Sequence, residues 1–436
     1  MSSADAGAPQ TLTRSLSPAE GDVESREQSR EVDTTPVRDL TKIRDNWNAV
    51  LASTIGWTLD SFDYFVVVMV LTEIAKDFGR TNAEVALTIT ITLAFRPLGA
   101  FLFGLMADRY GRRKPLMIDV VAFSILSVAS GLAPNFTTFL IVRALFGIAM
   151  GGEWGAGTSL VMEKISPKWR GLLSGILQQG YTTGNLLASI AYFFIVPHFG
   201  WRALFFVGGA PALLALFIRT NVKESEVWER THRKQWSELW STIWSNLRVF
   251  VYLVVFLTFM GFCGHGTQDM YPTFLKTQRG FSAQGAAVMT MIANLGALVG
   301  GILVALTSDR FGRRRSIACG LALAVLVIPL WVFSPTIAML ALGAFFIQFG
   351  VHGAWGVVPA HISELVPDQI RGFMPGFAYQ CGILLAGSIT YLQALFGSAT
   401  SYSNAMALTA LVVFASTAVV VSLGPEKKGV VFGKAD

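Results

Sequence analysis

Apolar residues recur along this chain in twelve long runs separated by short polar loops. Each run is close to the length of about 20 residues that a helix needs to cross a bilayer. We number the runs spans 1–12, with predicted limits 47–71, 84–107, 115–133, 136–162, 172–196, 201–219, 248–275, 282–307, 316–334, 336–363, 373–397 and 404–423. The pattern predicts an all-α membrane protein with two sets of six transmembrane helices.

Polar segments precede, separate and follow the two sets of spans. They predict a disordered cytoplasmic tail over 1–45, a first six-helix bundle over 46–219, a cytoplasmic linker over 220–247, a second bundle over 248–424 and a cytoplasmic tail over 425–436. The first tail has neither helical periodicity nor the apolar centre of a signal peptide. In the linker, tryptophan recurs at every fourth position from Trp236 to Trp244, which predicts a short amphipathic helix on the membrane surface.

Composition narrows the class of protein. Of the 436 residues, 53% are hydrophobic and only 14% are charged, whereas about a quarter of a soluble protein is charged. The net charge of +6 comes from basic residues in alternate loops, which argues against nucleic acid and predicts cytoplasmic termini in a cytoplasmic (inner) membrane. The three cysteines stand singly, without metal-binding spacing.

The second half of the chain repeats the first at a shift of 201 residues, the separation of Asp108 and Asp309. Other aligned identities are Arg109 with Arg310, Arg112 with Arg313, Trp154 with Trp355, Glu163 with Glu364, and Gln179 with Gln380. Two six-span halves in a parallel repeat are typical of alternating-access transporters, which hold their substrate near the midplane between the halves.

The loop after span 2, from Gly104 to Arg113, resembles the signature loop of the major facilitator superfamily, and Asp309 to Arg314 repeats it. This resemblance implies the twelve-helix fold and a gating role for the charged residues. The predicted gating residues are Asp108, Arg109, Arg112, Glu163, Asp309, Arg310, Arg313 and Glu364. We expect Arg112 to reach Glu163, and we expect the network to close the cytoplasmic side without touching substrate.

The predicted inner face of the first half contains five charged residues: Asp60, Asp63, Arg96, Arg143 and Glu153. Arg96 lies near the middle of span 2, so its guanidinium needs an anion, either a protein carboxylate, a substrate carboxylate or each in turn. Permanent pairing of Arg96 with Asp63, or of Arg143 with Glu153, is the structural alternative. The repeat aligns uncharged residues with Asp63, Arg96 and Arg143, which predicts that the first half binds the anion.

The second half places His265, Gln268 and Asp269 on one face of span 7, and adds His352 and His361 on span 10. His265 could donate to a carboxylate or exchange a proton near neutral pH. Asp269 could alternate between charged and neutral forms. A histidine satisfied within the core is the alternative.

The stretch from Gly264 to Thr273 resembles the signature of the fungal lactate permeases, within the sialate:proton symporter family. Gly261 and Gly264 replace two polar residues of that signature. The resemblance implies that His265, Gln268 and Asp269 act in monocarboxylate and proton transport. It also implies an essential role for Arg96 and matches Gln380 to a glutamine of span 11, although Ile383 stands where asparagine is expected.

We therefore expect proton-coupled symport of small monocarboxylates such as lactate or pyruvate. The candidate substrate-binding residues are Arg96, His265, Gln268, Gln179, Gln380 and Tyr64, and the candidates for proton coupling are Asp269, Asp63, Glu153 and His265. The expected partners are a small carboxylate, protons and the lipid bilayer, with no cofactor or metal and a monomeric carrier. The alternatives are a symporter of sialic acid or another larger organic acid, and a non-transporting carboxylate sensor. No hydrolase motif supports an enzyme.

Overall fold

The computed structural model describes residues 43–210, 212–230 and 236–433. The predicted tail over 1–45 therefore lies almost wholly outside the described residues. The spans are Ile43–Met69 with Leu71–Asp77, Asn82–Tyr110, Arg113–Gly131, Phe136–Lys164, Arg170–Gln178 with Gly180–Phe199, Arg202–Val207 with Ala212–Asn221, Leu247–Gln268 with Tyr271–Thr277, Ala283–Phe311, Arg313–Val332, Ile337–Leu365, Met374–Ala386 with Ser388–Ala399, and Tyr402–Leu423. Glu226–Arg230 and Trp236–Ser245 lie in the linker, and a 3-10 turn covers Asp368–Ile370.

The all-α architecture is confirmed. Within the described residues, nine helices are long and apolar enough to cross a membrane by themselves. A tenth span counts if Asn46–Met69 and Leu71–Asp77, which meet at a bend of 57°, are taken together. Spans 5 and 6 are each built from two shorter helices.

Helices that are aligned by the repeat begin with similar capping residues and end at similar turns. Thr81 forms a capping box with Glu84 at the start of span 2, and the aligned Ser282 caps the start of span 8. Both spans end at a glycine in the left-handed region, Gly111 with φ of 101° and Gly312 with φ of 98°. A residue with a side chain would be strained at either turn.

Contacts between the two halves join span 5 to spans 8 and 10, and span 2 to span 11. Spans 4 and 11 also touch through bare backbone, since a methyl group at Gly155 would lie 3.0 Å from the Gly376 Cα atom. The closest approaches therefore gather near the basic loops that follow spans 2, 4, 8 and 10. We call this side of the molecule the basic end.

The linker helix Trp236–Ser245 is amphipathic in the structure. Trp236, Trp240 and Trp244 are 39%, 38% and 67% exposed, while Leu239 and Ile243 are buried. The indole rings and the buried aliphatic side chains therefore lie on different faces of the helix, as the sequence pattern predicts. The Trp236 and Trp240 rings also contact Arg109 and Phe101.

Candidate functional site

A cavity lies between the two halves, lined by residues of spans 1, 2, 5, 7, 10 and 11. Its polar lining is Arg96, Gln178, His265, Gln268 and His352, and its aromatic lining is Tyr64, Tyr181, Trp355 and Tyr379. The volume that the centre of a water molecule can occupy in this cavity is about 60 Å³. Since one water needs about 10–15 Å³ on this measure, the cavity holds roughly four to six waters.

Arg96 contributes a buried positive charge to this lining and is 4% exposed. Its Nη2 atom lies 4.0 Å from Asp60 Oδ2, which is too long for a hydrogen bond. Among the described residues, neither Nε nor Nη2 of Arg96 has a hydrogen-bond partner. The predicted alternative of an Arg96–Asp63 pair is therefore wrong, and the guanidinium retains hydrogen-bonding capacity toward the cavity.

Asp63 instead pairs with Arg143. Both terminal nitrogens of Arg143 donate to Asp63 Oδ2, at 2.8 and 2.9 Å, and Ser127 donates to Oδ1. The predicted alternative of an Arg143–Glu153 pair is thus also wrong. The reason is geometric, because helix rotation and tilt decide which acid of span 1 faces which arginine, and sequence spacing does not fix either. Asp63 is a member of a buried ion pair inside the first half and does not line the cavity.

The second half supplies two polar clusters at the cavity. His265 Nδ1 lies 3.2 Å from Asp269 Oδ2, and the Thr390 hydroxyl donates to the same oxygen at 2.6 Å. Gln268 Nε2 lies 2.6 Å from His352 Nε2. The side chains of His265, which lines the cavity, and of Asp269 beside it are 24% and 35% exposed.

Several predicted residues do not reach the cavity wall. Gln179 packs against Gly301, and Gln380 is buried without a hydrogen-bond partner for its amide among the described residues. The expectation that these two glutamines flank one site is not supported by their positions. Glu153 is buried behind the wall, next to Gly56, and His361 packs against Phe256.

An aromatic layer separates the cavity from the basic end, and sequence reasoning missed it. Tyr379 of span 11 stacks on Trp154 of span 4, with ring centroids 4.3 Å apart and an interplanar angle of 13°. Trp57 and Trp355 meet the Tyr379 ring edge-on. The repeat of Trp154 and Trp355 was the available signal, since tryptophan matched in both halves of a membrane protein needs a packing partner for its ring.

Below this layer, each half contains the same charged triad. In the first half Arg112 pairs with Glu163 at 2.9 Å and also with Asp108. In the second half Arg313 pairs with Glu364 at 3.0 Å and Asp309 at 2.8 Å. Burial disfavours the charge on Arg112, but Glu163 and Asp108 outweigh burial and raise the pKa of its guanidinium.

Each triad also contacts the opposite half. Asp108 accepts hydrogen bonds from the Gly372 and Phe373 N–H groups at 2.8 and 2.9 Å, just before the helix of span 11. In the reciprocal contact, Asp309 accepts from the Gly171 and Leu172 N–H groups at 2.9 and 3.2 Å. Carboxylates at helix N-termini are favourable because they meet both unpaired N–H groups and the helix dipole.

Two arginines complete the closure by crossing between the halves. Arg170 lies 3.0 Å from Glu364, and Arg371 lies 3.5 Å from Glu163. The other two predicted gating residues make different contacts. Arg109 packs over the Trp236 ring at 4.6 Å, and the carbonyl of Arg310 accepts from Lys428 at 2.8 Å.

The segment after span 12 folds back over this closure. Glu426 accepts from the backbone N–H groups of Arg313 and Arg314 at 2.9 and 3.0 Å. The Phe432 ring then lies between two guanidinium groups, 3.8 Å from Arg170 and 3.6 Å from Arg371. The described part of the predicted C-terminal tail is therefore packed against both halves.

Two repeated six-span halves, with a polar cavity between them that is closed at one end, define an alternating-access membrane transporter. The chain belongs to the Major Facilitator Superfamily, whose sequence profile matches residues 53–303 and 270–434. It is thus a multi-pass membrane transporter and not an enzyme.

Known relatives agree with this assignment. The chain is 30% identical over 394 residues to a probable 4-methylmuconolactone transporter of Cupriavidus pinatubonensis, covering 87% of this chain and 91% of the relative. It is 28% identical to the sialic acid transporter NanX of Escherichia coli, covering 81% and 89%. The solved structure of the proton:xylose symporter XylE is 19% identical, with a TM-score of 0.71, and covers 89% of this chain and 97% of that one.

Proposed function

We propose that this protein carries a small organic acid anion across the membrane together with protons, by alternating access. The observation that carries the proposal is Arg96, a buried guanidinium in the cavity wall whose nearest carboxylate stays outside hydrogen-bond distance. An incoming carboxylate can accept two parallel hydrogen bonds from such a group. Gln268 and His352 face the cavity from the second half and can bind a hydroxyl or keto oxygen.

The proton-coupling groups at the cavity are His265 and Asp269. They share a hydrogen bond and are exposed at the cavity wall, so a proton can reach them from bulk water. A proton on this pair and an anion at Arg96 together leave the site with no added charge. The loaded or empty carrier then reorients at lower cost than a singly loaded one, because moving net charge through hydrocarbon is expensive.

The positive-inside rule supports a cytoplasmic location for the basic end, with both termini on that side of a cytoplasmic (inner) membrane. The cavity in the present conformation is therefore open to the outside. Reorientation requires the paired triads, Phe432 and the aromatic layer to separate. The carrier works as a monomer, with the proton gradient rather than a cofactor as its energy source, and nucleic acid is no partner.

Short monocarboxylates such as lactate and pyruvate are the first substrate candidates. Their size matches a cavity for roughly four to six waters, and the stretch from His265 to Asp269 resembles the lactate permease signature. A planar cyclic acid is the second candidate, favoured by the four aromatic rings of the lining. The similarity to a 4-methylmuconolactone transporter supports it further. Sialic acid is the larger alternative suggested by NanX.

Uptake into vesicles that contain the purified protein tests the function. Radiolabelled lactate should accumulate faster at external pH 5 than at pH 8, and uptake should carry protons into the vesicle. Equal uptake at both pH values without proton movement would remove proton coupling. The absence of flux for every acid tested would instead favour a carboxylate sensor.

Competition by unlabelled acids then ranks the substrate candidates. We expect pyruvate to compete most strongly with labelled lactate. Stronger competition by a planar ring acid would favour the aromatic wall as the main determinant, and competition by sialic acid alone would favour the larger cargo.

A further inference from the structure

Three carboxyl groups lie behind the cavity wall, inside the first half. They belong to Asp60 of span 1, Asp119 of span 3 and Glu153 of span 4, and each residue is at most 1% exposed. None of their six side-chain oxygens has a hydrogen-bond partner among the described residues. Unpartnered buried carboxyl oxygens are rare in folded proteins and call for an explanation.

Glu153 lies one helical turn from Asp60 along the face of span 1. The Glu153 Oε1 atom lies 2.5 Å from the position that a Cβ atom at Gly56 would occupy. Because Gly56 precedes Asp60 by four residues, both acids lie along the same side of span 1. The Ser53 hydroxyl, buried and unpartnered among the described residues, lies one turn further toward the basic end.

The repeat shows that Asp119 faces Glu153. In the second half the aligned residues are Gly320 and Ala354, each 201 positions later. A methyl group at Gly320 would lie 3.7 Å from the Ala354 Cβ atom, so these positions face each other between spans 9 and 10. By the repeat, the same packing of spans 3 and 4 would bring Asp119 close to Glu153, and the electrostatic influence of Glu153 and Asp60 on Asp119 agrees with this proximity.

The positive charge near these acids is insufficient to balance them. Arg96 is 4.0 Å from Asp60 and is the nearest cation. Arg143 is already neutralised by Asp63. The Tyr379 hydroxyl faces the same region without adding positive charge. Three ionised carboxylates beside one guanidinium would leave two uncompensated negative charges in a dry interior, whereas neutral acids carry a far smaller penalty.

We propose that Asp60, Asp119 and Glu153 form a buried proton-binding site that is separate from the His265–Asp269 pair. With the cavity empty, Asp60 is ionised beside Arg96, and Asp119 and Glu153 each hold a proton. When a substrate carboxylate binds Arg96, Asp60 loses its counter-charge and takes up one proton from water. That proton leaves when the substrate leaves and Arg96 returns to Asp60. This last exchange rests on the proposed function, whereas the resting protons do not.

Infrared spectroscopy of the full-length protein in lipid at pH 7 tests the resting protons, since a protonated carboxyl has a C=O band that carboxylates lack. Asp119→Asn and Glu153→Gln should each remove one such band, and Asp77→Asn, at an exposed ion pair, should remove none. Unchanged bands in both cluster variants would overturn the proposal. If Asp119→Asn fails to fold, Glu153→Gln still decides, because it replaces an acid that is equally buried.

Proton uptake on addition of lactate, followed with an indicator dye in weak buffer, tests the exchange at Asp60. The wild type should take up one proton more per bound lactate than Asp60→Asn. An Asp60→Asn variant that binds lactate with undiminished uptake would refute the exchange. If lactate does not bind at all, lactate is excluded as the substrate. The infrared experiment then still tests the resting protons, because it needs no substrate.

Discussion

The two halves of this transporter are nearly identical at the basic end and very different at mid-membrane. At the basic end, Asp108, Arg112 and Glu163 repeat as Asp309, Arg313 and Glu364 with the same pairing and with reciprocal caps on the opposite half. At mid-membrane, the first half carries six ionisable residues where the second half has glycine or alanine. The affected pairs are Asp60 with Gly261, Asp63 with Gly264, Arg96 with Ala297, Asp119 with Gly320, Arg143 with Ala344 and Glu153 with Ala354.

This contrast separates two tasks. Closure of the basic end forms and breaks contacts of both halves at once, so the same charged triad can serve in each half. The proposed binding of an anion and a proton in one cavity would require different chemistry on the two walls, which agrees with the divergence of the repeat there. Variants that remove one member of a matched pair can therefore tell the tasks apart.

The largest effect is expected from Arg96→Gln, which removes the fixed positive charge of the anion site. Lost charge-assisted hydrogen bonds of about 1.5–3 kcal/mol predict a fall in uptake of roughly 10- to 150-fold. Arg96→Lys keeps the charge without the two-pronged geometry and should lie between the variant and the wild type. Unchanged lactate uptake kinetics in Arg96→Gln would exclude Arg96 from the site.

Asp108→Asn and Asp309→Asn sharpen the comparison at the basic end, because a symmetric closure predicts equal effects. Each variant loses a charged acceptor for two backbone N–H groups, so the equilibrium constant for closure should fall by about tenfold or more. Labelling rates of a cysteine placed beside Gly372 or Gly171 measure this opening. A large difference between the two variants would show that the closure is carried by one half.

Asp269→Asn should separate exchange from accumulation. The variant keeps a polar group for Thr390 to contact but cannot take up and release a proton. Lactate exchange across vesicles should persist, while accumulation driven by a pH gradient should fall to the part supported by the proton that Asp60 takes up. Undiminished accumulation would assign the driving proton to Asp60 and its neighbours alone, which lie on the other side of the cavity.

The smallest effect is expected from Phe432→Ala. Cation–π contacts of about 0.5–2 kcal/mol with Arg170 and Arg371 hold the tail against both halves, so opening at the basic end should increase a few-fold. Val430→Ala, at a partly exposed neighbour, is the matched control.

The effect of Phe432→Ala should not depend on pH between 5 and 8. An arginine guanidinium stays charged throughout this window, because the ordinary pKa of arginine lies far above it. The contact between Arg170 and the Phe432 ring therefore keeps its strength. A tail effect that titrates near neutrality would mean that another group controls the contact.

Much of the fold could be predicted because its signals are local. Apolar runs of bilayer length gave the spans, and the matched motifs around Asp108 and Asp309 gave the paired networks. The identity of the charge pairs was beyond the sequence, because Asp60 and Asp63 lie on the same side of span 1. Helix rotation and tilt decide which of them faces Arg96, and sequence spacing does not fix either. The same uncertainty placed Gln179 and Gln380 at a cavity whose wall contains neighbouring Gln178 instead.

Asp119 shows a signal that was present and overlooked. It is a lone acid inside the apolar run of span 3, and an ionisable residue at that depth is a functional candidate by default. The aromatic layer was harder to foresee, because Tyr379 meets Trp154 only through the packing of opposite halves. Contacts between halves depend on tertiary geometry that periodicity does not encode.

The contact between Gly155 and Gly376 involves backbone atoms alone. Because no side chains interlock there, one half can rotate against the other about this contact while the distance between the two glycines stays almost constant. A side chain added at either glycine would keep the two halves apart at the basic end, even if every residue of the cavity stayed in place.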